Sequence, residues 1–302
     1  MNTIFNHTGL VLIAALAMAG CAGNSDTTLD DNPQNTDHQE TDMTAKAITL
    51  KAFDAIFRDF DPEAARALLA EDYIQHNVSV PTGATPVLAF IPDLKASGIT
   101  PTTHRVIAEG DLVVMHNTYT QAQAFGAETL VAFDIFRVEN GKLAEHWDNL
   151  QPPPTQTASG RSMTDGATTI EDRELTAQNK ARVEAFARDV LLGGQFDKAA
   201  DYIIATPGAY IQHNPDIPDG LDGLAEAFGK FAEAGQALNY TKVHAIVAEG
   251  NFVFMMSEGT LGDTPTAFFD LLRVEDGMIV EHWDTIATIP PASEMPHNNG
   301  KF

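Results

Sequence analysis

The pentapeptide YIQHN occurs at Tyr73–Asn77 and again, unchanged, at Tyr210–Asn214. It does not return alone. HRVIAEG at His104–Gly110 reappears as HAIVAEG at His244–Gly250, and AFDIFRVENGKLAEHWD at Ala132–Asp148 as FFDLLRVEDGMIVEHWD at Phe268–Asp284. The blocks keep their order at offsets of 137, 140 and 136 residues. A period of that size is a domain, so the chain must fold as two versions of one unit and not as a solenoid of short repeats. The copies are expected over 46–153 and 179–290, with 154–178 as a linker and 291–302 as a C-terminal tail. The stretch PTQTASGRSMTDGATT within the linker has the small, polar composition of a connecting segment.

Ahead of the first copy, Gly9–Gly20 reads GLVLIAALAMAG, an apolar run too short for a stable membrane-spanning helix. It ends in small residues before Cys21, the one cysteine of the chain, as bacterial lipoprotein signals do. Residues 1–20 are therefore expected to be a signal peptide and Cys21 the lipidated residue, although Met1–Thr8 lacks the usual Lys or Arg. A plain secretory signal is the alternative. By resemblance to such lipoproteins, Ala22 rather than Asp after the cysteine implies the outer membrane, facing the periplasm or the surface. Residues 21–45, rich in Asn, Asp, Thr and Gln, read as a flexible tether. One cysteine excludes an intramolecular disulfide. A formal net charge of −24 disfavours nucleic acid and anionic membrane surfaces, leaving the lipid anchor as the expected membrane contact.

Each copy opens with helical periodicity. Ile48, Phe53, Ile56, Phe57 and Phe60 recur at three- and four-residue steps in the first, and Val183, Phe186, Val190 and Leu191 do so in the second. Asp61-Pro62 has the form of an N-cap followed by proline at the first helical position. After YIQHN, Leu224, Phe228 and Phe231 mark a third helix in the second copy; Pro86 and Pro92 make its counterpart less regular. Val106–Ala108, Leu112–Tyr119, Thr129–Val138 and Lys142–Leu150 then read as strands joined by tight turns. Helices followed by an antiparallel meander give an α+β unit with the helices on one face of a curved sheet.

The last hairpin decides which polar groups meet. With a three-residue loop and Gly141 left-handed, Val138 faces Lys142, Asp134 faces His146 and Ala132 faces Asp148. Strand alternation then gathers Asp134, His146 and Asp148 on one side, and Asp270, His282 and Asp284 in the second copy. A two-residue loop separates Asp134 from the other two. Such a cluster in a partly apolar concavity suits proton transfer, because burial and neighbouring negative charge both raise a carboxyl pKa. The same pattern also suits a solvated sheet edge. A metal held by His76, His146 and Asp148 finds no support in ligand spacing, and neither a metal nor a cofactor is expected. Trp147 and Trp283 are expected in a core or at a domain interface.

The combination of YIQHNPDIPDG, AEG and RVEDG…EHWD resembles the SnoaL-like polyketide cyclases, including a subgroup described as aldol-condensation enzymes, within the nuclear-transport-factor-2-like superfamily. The resemblance covers nearly all of both copies. It implies conical half-barrels with a pocket between sheet and helices, pairing within the chain as a pseudo-dimer. It further implies Asp148 and Asp284 as general acid/base, flanked by Asp134, Asp270, His146 and His282, acting on a small, largely apolar carbonyl compound. His76, Asn77, His213 and Asn214 would approach from the helix side to orient a carbonyl, with Tyr73 and Tyr210 in the wall. Arg137 and Arg273, three residues after an Asp, resemble the Asp–Arg pair of epoxide hydrolysis in the same superfamily, but are expected to make a structural ion pair or to face solvent. The superfamily also contains ligand binders without turnover, so a non-catalytic binding or interaction module at the cell envelope is the alternative. The copies differ at Val78-Ser79 against Pro215-Asp216 and at His116-Asn117 against Met256-Ser257, so their pockets are expected to differ.

Overall fold

The computed structural model describes residues 34–302, with side chains from residue 45. The expected signal peptide and Cys21 lie outside the described residues. Domain 1 comprises α1 (Gln34–Phe57), α2 (Pro62–Leu68), β1 (Leu69–Gln75), α3 (Ala84–Ser97), β2 (Thr100–Glu109), β3 (Leu112–Thr120), β4 (Thr129–Glu139) and β5 (Lys142–Gln151). α1 starts inside the segment expected to be tether. Asp61 caps α2 as anticipated, its carboxylate accepting from the Glu63 and Ala64 amides with Pro62 at the first position. Domain 2 repeats the order with α4 (Thr176–Phe186), which runs on into a π-helical turn at Ala187–Leu191. A 3₁₀ turn at Phe196–Asp201 follows, then β6 (Ile211–Gln212), α5 (Leu221–Glu233), β7 (Leu238–Glu249), β8 (Phe252–Leu261), β9 (Thr264–Glu275) and β10 (Met278–Thr288).

Each domain has one five-stranded sheet, ordered β1-β5-β4-β3-β2 and β6-β10-β9-β8-β7. The four-stranded meander is antiparallel, and a parallel strand from the YIQHN segment extends it. The helices cover the concave face of each sheet around separate cores, one holding Phe53, Leu88 and Ile91 and the other Val183, Phe186 and Ile203.

The hairpin register differs from expectation. The loop has two residues, Asn140 and Gly141, with φ of 51° and 77°, the left-handed pair that matches strand twist. Glu139 therefore faces Lys142. The register shifts again between Arg137 and Val138, so that Arg137 faces Glu145 and Asp134 faces Asp148. This β-bulge leaves Ala144 unopposed and adds a second one-residue displacement to that of the turn. Two such steps restore the parity of the strands, and Asp134 stays on the face that carries His146 and Asp148. β9–β10 repeats the device, with Arg273 facing Glu281 and Asp270 facing Asp284.

The convex faces pack against each other. Ile107, Phe133, Ile135 and Trp147 of domain 1 share one buried core with Phe252, Phe254, Phe269 and Trp283 of domain 2. The edges obey an approximate two-fold relation. The Glu109 carboxylate accepts from the Ala248 amide at 2.9 Å, and the equivalent Glu249 accepts from the Ala108 amide at 2.8 Å. Lys180 reaches Glu109 and Lys46 reaches Glu249 in the same reciprocal manner. Such exchange of like for like is the mark of an isologous dimer contact, here built within one chain.

The segments after β5 and β10 are also exchanged. The linker crosses to domain 2, where the Ala158 amide donates to the Pro215 carbonyl. Arg105 of domain 1 holds the linker by donating to the Thr164, Asp165 and Ala167 carbonyls while its guanidinium stacks 4.1 Å from the Trp283 ring centroid. The C-terminal tail crosses the other way, with Asn299 donating to the Gln75 carbonyl of domain 1.

Replacing Glu249 by Ala strands the buried Ala108 amide and removes the carboxylate that Lys46 and Arg173 both reach. A loss of about 1–3 kcal/mol in urea unfolding is expected. A change below about 0.5 kcal/mol would show that this edge does not hold the domains together.

Candidate active site

The pocket chemistry is set by alternation along two strands. In β10, His282 and Asp284 point to the concave side while Glu281 and Trp283 point to the convex side. In the YIQHN segment, Tyr210 and Gln212 line the concave cavity, whereas His213 faces away. Asp270, His282 and Asp284 offer donor atoms within 4.8 Å of one another, and all three are buried. Asp134, His146 and Asp148 do the same in domain 1.

In domain 2 the hydrogen bonds fix the histidine tautomer. The Gln212 side-chain carbonyl accepts from the Asn214 amide at 2.8 Å and lies 2.9 Å from His282 Nδ1, so Nδ1 carries a proton. His282 Nε2 lies 3.0 Å from Asp270 Oδ1. Burial disfavours the imidazolium, but the Asp270 hydrogen bond and the charges of Asp284 and Asp270 outweigh it and raise the His282 pKa. Tyr240 adds a hydroxyl that donates to Asp270 at 3.2 Å.

Asp284 is held differently. Its Oδ2 accepts from Asn214 Nδ2 at 2.6 Å, while its Oδ1 has no hydrogen-bond partner among the described residues. Burial pushes its pKa up to about 6; His282 and Asn214 oppose the shift and Asp270 reinforces it. The Tyr210 hydroxyl accepts weakly from Gln212 at 3.4 Å, and burial raises its pKa, so it stays a neutral donor. These groups close one end of a cavity of about 580 Å³ whose remaining wall is mostly aliphatic and aromatic, including Val190, Leu224, Phe228 and Met255. A titrating carboxyl at the end of an apolar cavity can move protons on a buried carbonyl compound.

Domain 1 has the same polar set and almost no room. Gln75 holds His146 Nδ1 at 2.9 Å, and Asn77 donates to Asp148. His146 Nε2 is 3.5 Å from Asp134 Oδ1, and the Tyr119 hydroxyl donates to Asp134 Oδ2 at 2.9 Å. The cavity lined by Tyr73, His146 and Asp148 is only about 70 Å³. Tyr119 occupies the β3 position that Gly259 holds in β8, and Phe136 the β4 position of Leu272. Tyr119 packs 5.4 Å from the Phe57 ring and fills the space. In domain 2 a Cβ at residue 259 would come within 1.9 Å of the Asn239 carbonyl oxygen, and the acidic group receives its hydroxyl from Tyr240 on β7 instead.

His76 and His213 do not reach the pocket, contrary to expectation. His76 stacks on Trp147 at 5.0 Å, with Nε2 2.9 Å from Glu145 and Nδ1 3.1 Å from the Gly300 carbonyl. His213 stacks on Trp283 at 4.8 Å, between Glu281 at 2.9 Å and the Ser162 carbonyl at 2.8 Å. Each histidine thus pins an exchanged segment to the convex face. Gly166 makes this approach possible: its φ is 89°, and a Cβ there would lie 2.1 Å from Glu281. Arg137 and Arg273 bind Glu145 and Glu281 on this same face, at 2.8 and 2.7 Å, as structural ion pairs. Gln75, Gln212, Tyr119 and Tyr240 are site residues that the sequence reading did not single out.

A profile of the SnoaL-like domain matches residues 50–146 and 183–282. Among solved structures, TsrD from Streptomyces laurentii is 23% identical, over 36% of this chain and 89% of that one, with a TM-score of 0.32. An LEH-like epoxide hydrolase of M. tuberculosis is 16% identical, over 36% and 84%, with a TM-score of 0.30. An NTF2-like protein of Mesorhizobium loti is 17% identical, over 37% and 93%, with a TM-score of 0.32. A search of curated proteins returned no match. The two matched regions together span well over half of the sequence, and the chain belongs to the SnoaL-like domain family, which it carries twice.

Proposed function

We propose that domain 2 binds one small, largely apolar carbonyl compound and catalyses cofactor-independent acid/base chemistry on it, of the aldol-cyclisation or isomerisation type. The observation that carries this reading is Asp284, a buried carboxyl with a pKa near 6 and a free Oδ1 at the end of the 580 Å³ cavity. A pKa close to neutral lets one group take a proton and return it. Asp284 removes a proton from the carbon next to the carbonyl, and the Tyr210 hydroxyl donates a hydrogen bond to the oxygen as it gains charge. The enolate then attacks a second carbonyl of the same molecule, and the proton held by Asp284 passes to the new alkoxide. Alternatively it returns at another carbon, giving an isomer. His282, locked by Gln212 and paired with Asp270, keeps compensating charge beside the reacting centre.

The filled cavity of domain 1 favours a different role for that copy, and of the two concave cavities only that of domain 2 is expected to take a ligand. A retained binding function without turnover remains the second reading, favoured by the apolar character of the cavity.

Deuterium exchange at the carbon next to the carbonyl, followed by NMR across a panel of hydrophobic ketones in D₂O, tests the chemistry. Asp284→Asn is expected to lower the exchange rate by about 10²-fold or more while ligand binding persists. An unchanged rate in this variant would sink the acid/base reading; binding without any exchange in the wild type would leave the binding module.

Linkage gives an independent check. Because the folded-state pKa of Asp284 is raised above its ordinary value of 3.8, its contribution favours the fold below about pH 4. That contribution is lost as pH rises through about 6. Asp284→Asn is therefore expected to gain stability relative to the wild type between pH 4 and 8, by at most about 3 kcal/mol. A pH-independent difference would mean that Asp284 does not titrate in this range.

We further propose that the chain is exported and anchored through Cys21 to the bacterial outer membrane, on the strength of the apolar run and the small residues before the cysteine. Metabolic labelling with radioactive palmitate should mark the wild type and not Cys21→Ser. Equal labelling of both would overturn the anchor.

A further inference from the structure

The exchanged C-terminal segment does more than brace domain 1. It delivers Lys301 to the side of Asp148. Lys301 is the one lysine among the buried residues of the described chain. Its Nζ donates to the Asp148 carbonyl oxygen at 2.5 Å and lies 3.8 Å from Asp148 Oδ1, an oxygen with no hydrogen-bond partner among the described residues. The backbone carrying it is fixed from several sides. His297 Nε2 donates to the Asn77 carbonyl at 2.9 Å, and Asn299 donates to the Gln75 carbonyl at 2.9 Å and to Thr82 Oγ1 at 3.0 Å. His76 Nδ1 donates to the Gly300 carbonyl at 3.1 Å. A lysine placed this firmly is not a solvated surface side chain.

Lys301 and Asp148 also share an opening. Both line a cleft of about 810 Å³ between domain 1 and the end of β10, whose other walls include Val78, Val80, Pro81, Phe90 and Ala287. This cleft adjoins the small cavity behind Asp148 through Asn77, Val80, Phe90, Phe125 and Leu150, but Tyr119 lines only the small cavity and does not fill the cleft. The groups that face Nζ are the Asp148 carboxylate and main-chain oxygen and the ring of Phe269, 5.6 Å away. Burial lowers the Lys301 pKa, with Asp148 opposing, and so increases the share of free amine. The domain 2 arrangement lacks this amine: the residue after Ser162, whose carbonyl meets His213 as that of Gly300 meets His76, is Met163.

We propose that Lys301 is a nucleophilic amine that condenses with aldehydes or ketones entering the cleft of domain 1, with Asp148 as its proton carrier. The ammonium passes a proton to Asp148 Oδ1, and the neutral nitrogen forms a bond to the carbonyl carbon. Asp148 returns the proton to the oxygen, and loss of one water leaves a protonated imine on Nζ. The sum is one ammonium and one carbonyl compound giving one iminium ion and one water, with no redox change.

Treating the intact chain with hexanal and sodium cyanoborohydride reduces any imine to a stable secondary amine, which peptide mapping locates. Lys301 is expected to be alkylated at least tenfold faster than the exposed Lys51, Lys95 and Lys230 of the same molecule. Its rate should also persist to lower pH than theirs. Asp148→Asn should slow labelling at Lys301 about tenfold or more without changing the exposed sites. Labelling of Lys301 no faster than those surface lysines in the wild type overturns the proposal, and does so without reliance on any variant folding. The domain 2 chemistry is untouched by that outcome, since neither residue borders its cavity.

Discussion

One strand in each domain, β5 or β10, does two jobs through the alternation of its side chains. Within EHWD, the His and the second acid face the helices, while the Glu and the Trp face the other domain. The pocket and the interface therefore hang on one register. A slip by a single residue would bury Glu145 in the concave core and leave His146 and Asp148 against the opposing sheet. The bulge opposite Val138 stands between these outcomes. A two-residue turn alone gives the wrong parity for Asp134, and the bulge corrects it within one step of the chain. The identical compensation in β9–β10 places four carboxylates and two imidazoles where proton chemistry is possible.

The convex face explains why the exchanged segments exist. Each sheet presents His, Glu and Trp outward, and His76 and His213 each meet an oxygen at both ring nitrogens. A carboxylate of the same domain supplies one. The other comes from a main-chain carbonyl in the segment that leaves the opposite domain. The histidines of YIQHN thus read the position of the partner domain, and Arg105 stacked on Trp283 closes the same joint from the first domain. A single domain of this sequence would instead expose this face, with the apolar side chains of Phe133, Ile135 and Trp147, to water.

Much of this was legible from residues alone. The duplication and the helices before the meander follow from repeats and periodicity. The clustering of Asp134, His146 and Asp148, expected from a three-residue loop, holds only because the bulge restores the parity that the two-residue loop breaks. The YIQHN segment has no strand assignment in its own pattern, and that is where the expected placement of His76 and His213 fails. As a strand, its odd positions Tyr73, Gln75 and Asn77 share one face and His76 takes the other. The period-two rule would then have found Gln75 and Gln212 and excluded both histidines. The two residues of β6 are too few to declare a strand by pattern, and parallel pairing to β5 or β10 is a long-range contact with no local signature. Lys301 was invisible for the same reason, because its neighbour Asp148 is far away in the chain.

The two copies show how one scaffold separates binding from filling. Both need a hydroxyl on the acid of β4 or β9, and each takes it from a different strand. In domain 1 the donor is Tyr119, whose ring then occupies the cavity. In domain 2 that position is Gly259, the donor is Tyr240 at the sheet edge, and the centre stays open. A Tyr at residue 259 cannot simply restore the first arrangement, because even a Cβ there collides with the Asn239 carbonyl. Gly259 lies beside the register shift between Tyr240 and Lys242, where the Asn239 carbonyl closes on it. Backbone and side chain thus differ together between the copies, and the open pocket of domain 2 is built into the strand pairing around it.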